Sequence, residues 1–143
     1  MRPILSGLLI FISLYIFADF FVKNATIGLS KCALNTTLFG NSEEFIDPIM
    51  QSVFLEHLHT ETFFLMMILL TLSAVFMRLW AERPFSLILL NITMLSALLS
   101  LISLAMSYYV SASFVNLYVS TFFLWHIAAL CMSLLSLWRL FRA

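Results

Sequence analysis

The sequence predicts an all-α membrane protein with four transmembrane helices packed as an antiparallel bundle. Three observations predict it. Of 143 residues, 63% are hydrophobic and 10% charged, where a soluble domain has roughly 45–50% and about 25%. No Asp, Glu, Lys or Arg occurs from Pro84 to Trp138. The apolar runs are each long enough to cross a hydrocarbon core of about 30 Å. A soluble fold this apolar could not cover its surface with polar atoms, so lipid is the solvent.

The first run begins after Arg2 and spans about residues 4–22. A signal peptide would carry small residues at its cleavage site. Here Ala18 has Ile16 two positions before it, and the apolar run resumes after Asp19. A retained helix is therefore expected. Asp19 stands four residues before Lys23. One reading is an i,i+4 ion pair at a helix end. The other is a proton or cation ligand inside the membrane.

Residues 23–61 form an outer loop. Gly28, Gly40, Asn35, Asn41 and Ser42 are turn formers. Asn24-Ala25-Thr26 and Asn35-Thr36-Thr37 match the glycosylation pattern, which matters only in a eukaryotic secretory setting. Asp47-Pro48 reads as an N-cap with proline at the first helical position. A helix is thus expected from about Pro48. Run on to Ala81 it would be about 50 Å long, so its first turns must stand outside the lipid.

The second span is about 62–80, the third 85–109 and the fourth 117–138, with a tight link at Ala81-Glu82-Arg83-Pro84. Arg2, Arg78, Arg83, Arg139 and Arg142 fall on one side, against Lys23 and Lys31 on the other. The positive-inside rule then puts both termini in the cytoplasm. Trp80 and Trp138 fall at the inner interface, and Tyr108, Tyr109 and Tyr118 at the outer one. The expected location is a bacterial inner membrane.

Small residues let helix backbones approach in lipid. The third span carries Thr93, Ser96, Ser100, Ser103 and Ser107 on one seam. The fourth carries His126, Ala129, Ser133 and Ser136. The second offers Thr71 and Ala74, beside His57, Phe64 and Arg78. These three stripes are expected to face one another.

Two places could hold chemistry. At Glu56-His57-Leu58-His59-Thr60-Glu61, His57 and Glu61 are i,i+4 neighbours, and Glu56 and His59 are i,i+3 neighbours. Either pair could chelate a divalent metal or a haem; the cluster is otherwise read as a solvated polar collar where a helix leaves lipid, which could also sense pH, or as a partner docking surface. The second is His126, about 15 Å below Asn116 at the helical rise. It is read as a neutral histidine bonded to a serine of the third span, as a haem b or metal ligand, or as a proton or quinone contact. Met94 lies at similar depth, so a His126/Met94 haem pair is one option. Asp19 and His126 together would make a proton or ion path.

Net formal charge is zero, so no basic patch exists for nucleic acid. Cys32 and Cys131 belong to different depths, so no disulfide between them is expected. No C-x-x-C, Gly-x-Ser-x-Gly, His-Glu-x-x-His or phosphate-cradling loop occurs. The leading expectation is a non-catalytic membrane subunit of a larger respiratory or electron-transfer complex. It would bind lipid and other membrane subunits or form a homo-oligomer, and contact a haem or quinone. The alternative is a small transporter or channel-like protein for protons or metal cations.

Overall fold

The computed structural model describes residues 2–142. Five helices follow in order: α1 (Arg2–Thr26), α2 (Lys31–Phe39), α3 (Gln51–Trp80), α4 (Pro84–Tyr109) and α5 (Phe114–Arg142). All but α2 are long and apolar enough to cross a membrane. The protein is an all-α membrane protein with four candidate spans. Among the described residues the only extended pairing is one bridge between Asn41 and Ile46.

The outer segment is more ordered than its composition suggests. It contains α2, which the reading of 23–61 as a loop did not anticipate. Ser30 caps α2 by accepting from the Ala33 amide (3.1 Å), and Gly40 ends it in a positive-φ conformation. Gly28 sits at φ +77, and a Cβ there would collide with Ala33 Cβ. Leu34 and Leu38 are buried, with α2 packed on α5.

The helix expected from Pro48 begins instead at Gln51, with Met50 at its N-cap and no side-chain cap. Residues around Pro48 are committed elsewhere. Pro48 packs against Gly40, and the Ile49 amide donates to the Thr37 carbonyl (3.1 Å). That bond ties the segment to the end of α2. Phe54 then stacks on Tyr108 with centroids 4.1 Å apart.

The last helix is the hub. Half of the most apolar window of α5 is buried (50%), against 17% for α1. It contacts each of the other four helices, α4 most extensively. The α4 seam of Thr93, Ser96, Ser100, Ser103 and Ser107 is buried, as expected. Its serines bond carbonyls of their own helix: Ser100 to Ala97 (2.9 Å) and Ser107 to Leu104 (2.7 Å). Satisfied this way, they present a smooth surface that permits close approach. Only Thr93 reaches across, to Met132 Sδ at 3.2 Å. On α5, Ser133 Oγ meets Ser13 Oγ of α1 (2.8 Å) and the Leu9 carbonyl (3.1 Å).

The stripe expected on α3 is rotated. Ala74 is exposed, and Thr71 bonds its own Met67 carbonyl. The buried row is Phe54, Glu61, Leu65, Leu69, Leu72 and Phe76. The cause is Glu61, whose carboxylate is paired inside and turns that face inward. Tyr118, expected in the outer aromatic belt, is fully buried.

Both described ends of the chain lie together. Arg2 and Pro3 share a crevice with Leu140 and Phe141. Near them Arg139 lies over the Trp80 ring (4.6 Å), and Arg142 over Trp138 (4.2 Å).

Candidate functional site

Asp19 and Lys23 lie one turn apart on α1. They do not pair with each other: each has a partner on a different helix. The Lys23 ammonium meets Glu61 Oε2 of α3, and the lysine is buried. It also lies 3.1 Å from His57 Nε2. Asp19 Oδ2 is 3.1 Å from His126 Nε2 of α5. His57 and Glu61 are one turn apart on α3, with Nε2 and Oε2 at 3.5 Å. Two helices thus each supply an i,i+4 pair, and α5 supplies the fifth group.

The hydrogen bonds fix where protons sit. His126 Nδ1 is 2.9 Å from the Phe122 carbonyl, which can only accept, so Nδ1 carries a hydrogen. Nε2 faces a carboxylate, which also accepts when ionised. One further proton must therefore lie between His126 and Asp19, whichever of them holds it. His57 Nε2 faces both the Lys23 ammonium (3.1 Å) and Glu61 Oε2 (3.5 Å).

Charge bookkeeping follows. Asp19 and Glu61 outnumber Lys23 by one negative charge. The proton shared by Asp19 and His126 removes the excess. Neutrality matters because an unpaired charge away from water costs several kcal/mol.

A cavity of about 200 Å³ opens between α1 and α3. Asp19, Lys23, His57 and Glu61 line it with Tyr15, and Trp125 of α5 contributes to its wall. Two of its lining residues carry buried polar atoms with no protein hydrogen bond, Glu61 Oε1 and Trp125 Nε1. The first accepts and the second donates. Water can serve both, and the space exceeds what one water needs.

The structure distributes the sequence-expected residues unevenly. Asp19, His57, Glu61 and His126 come together. His57 and Glu61 hold a cation between them, but it is the Lys23 ammonium. Glu56 and His59 are exposed, and among the described residues no three His, Cys, Asp or Glu gather to hold a metal. Met94 lines an apolar groove between α3 and α4 with Leu65, Met66, Leu69, Leu98 and Leu101. His126 faces α1, so the His126/Met94 pairing is not assembled. The serine bond expected for His126 is replaced by Phe122 and Asp19. Tyr15 and Trp125 were not singled out from the sequence, and Lys23 was read only as the helix-end partner of Asp19. The matching i,i+4 spacing of Asp19/Lys23 and His57/Glu61 was the available clue.

No curated protein and no solved structure matches this chain. A family model described as a transmembrane helical domain, Aq_1264_TM, matches residues 28–143, which hold α2 to α5 and about four-fifths of the chain. Asp19 and Lys23 lie before the matched region, whereas His57, Glu61 and His126 lie within it. On that match the chain belongs to the Aq_1264_TM family of transmembrane helical domains.

Proposed function

We propose that this protein conducts protons across the membrane from the outer aqueous face, as a small proton-translocating membrane protein. One observation carries the reading: Asp19, Lys23, His57 and Glu61 line one cavity, and Asp19 is also 3.1 Å from His126 of α5. Ionisable residues inside a span that pair with one another are typical of proton relays. The Lys23–Glu61–His57 group forms the outer station and Asp19–His126 the deeper one. Beyond His126 the α5 row continues to Ser133 and its partner Ser13, hydroxyls that both donate and accept. The arginine-rich end faces the cytoplasm of an inner membrane in this reading. The chain performs no covalent chemistry.

The test is flux into proteoliposomes carrying an internal pH dye and a potassium diffusion potential. Wild type acidifies the lumen, whereas Asp19→Asn and His126→Gln abolish the signal. Flux unchanged in both variants ends the proposal.

The anchoring-subunit reading, with a haem or quinone near His126, draws on the exposed apolar faces of α1 and α4. Lipid covers such faces equally well. Both nitrogens of His126 already have partners, which favours the proton reading over haem ligation.

A further inference from the structure

Tyr118 occupies a costly position on α5, about 12 Å before His126 at the helical rise. Its side chain is fully buried, and its hydroxyl has no hydrogen-bond partner in the protein. The ring packs on Phe122 (centroids 5.8 Å), which in turn packs on His126 (4.0 Å). A phenylalanine would fill that place equally well. Packing therefore explains the ring and leaves the hydroxyl unexplained. A buried polar group without a partner is unfavourable, so its presence in a folded chain calls for a reason.

The surroundings of the hydroxyl supply one. Glu61 of α3 and Asp19 of α1 are the two carboxylates whose charges bear on it. Glu61 belongs to the outer station and Asp19 to the deeper one. Their direct partners lie elsewhere: Glu61 meets Lys23 and His57, and Asp19 meets His126. Glu61 Oε1 and Trp125 Nε1 lack protein partners as well. Thus α3 and α5 together bury three polar atoms that water can serve. Of the three, only the phenol oxygen both accepts and donates.

We propose that Tyr118 is the residue that passes protons between Glu61 and Asp19. Its oxygen takes a proton arriving through water from the Glu61 side and releases its own hydrogen through water toward Asp19. The phenol ends neutral, and one proton has moved from one carboxylate to the other. This step rests on the proton reading above and supplies the link between its two stations.

The proteoliposome assay tests it with Tyr118→Phe, which keeps the ring and removes only the hydroxyl. The expected result is a thermal midpoint no lower than that of wild type, with flux reduced roughly 100-fold, the scale of a positioned proton-transfer group. A purely structural hydroxyl would give the reverse, a lowered midpoint with flux per folded protein unchanged, and that result overturns the proposal. Wild-type flux in Tyr118→Phe, with Asp19→Asn silent, overturns this step alone and leaves the proton reading standing. Loss of flux in Tyr15→Phe but not in Tyr118→Phe also overturns it, and gives the step to Tyr15, whose hydroxyl meets the same two charges. Absence of flux in wild type overturns the proton reading and this step with it.

Discussion

His126 Nε2 stands 3.1 Å from Asp19 Oδ2 although 107 residues separate them in the chain. Because His126 Nδ1 is spent on the Phe122 carbonyl, this contact exists only with a proton in it. Asp19→Asn therefore does more than remove a charge. Its amide cannot take part in the same exchange. Flux should fall to background in Asp19→Asn and in His126→Gln, and the double variant should be no worse than either single one. Additive losses in the double variant would show that the two residues act separately.

The Lys23–Glu61 pair is buried on both sides. Loss of one partner leaves the other uncompensated, at a cost of about 3–5 kcal/mol. Lys23→Met and Glu61→Leu should each lower the unfolding midpoint sharply. The double variant Lys23→Met/Glu61→Leu should recover most of that stability, since an apolar pair of similar size often replaces a buried ion pair without loss. Denaturant unfolding in detergent, followed by circular dichroism, reads all three.

At the α4–α5 seam, Ser100 is fully buried and its hydroxyl bonds only its own helix. Ser100→Ala should be close to neutral. Ser100→Leu should cost about 1–3 kcal/mol by overpacking, because it forces two closely packed helices apart. The same unfolding measurement separates them, and equal effects would refute a close-packing role.

Backbone strain in the outer segment gives a pair of opposite outcomes. Gly28→Ala meets both a positive φ and the Ala33 side chain, and should destabilise by about 1–2 kcal/mol or more. Phe45 is 95% exposed and sits at φ 53. Phe45→Gly should stabilise by about 1 kcal/mol. Hydrogen exchange across residues 27–50 would report faster opening in the first and slower in the second.

Cys32 and Cys131 are both free and exposed, but on different surroundings. Cys32 belongs to α2 outside the spans, and Cys131 lies mid-way along α5. A membrane-impermeant maleimide added to intact cells should label Cys32 and leave Cys131 unmodified. Labelling of Cys32 only after permeabilisation would invert the orientation assigned from the arginines.

The four spans were legible because lipid imposes a length and a composition on each. The serine seam of α4 was legible because spacings of three and four mark one helix face. Helix rotation about its own axis was not. For α3 it is decided by Glu61, and Glu61 turns inward only because Lys23 on another helix meets it. The same holds for Asp19: an i,i+4 neighbour was at hand, yet the bundle gives it His126. Local spacing lists the eligible partners, and three-dimensional packing chooses among them. Within the outer segment, Gly40 was read as a turn former, but the nine residues of α2 are too few for a clear helical period.

The opposite signs of Asp19 and Lys23, one turn apart on the least buried span, have a mechanical consequence. Sliding α1 by a single turn, about 5.4 Å, would set the ammonium against the imidazole of α5 and withdraw it from the carboxylate of α3. Both attractions would be lost in one movement. The ladder of charge therefore works as a ratchet tooth. It lets the first helix rest in one vertical position and penalises the next.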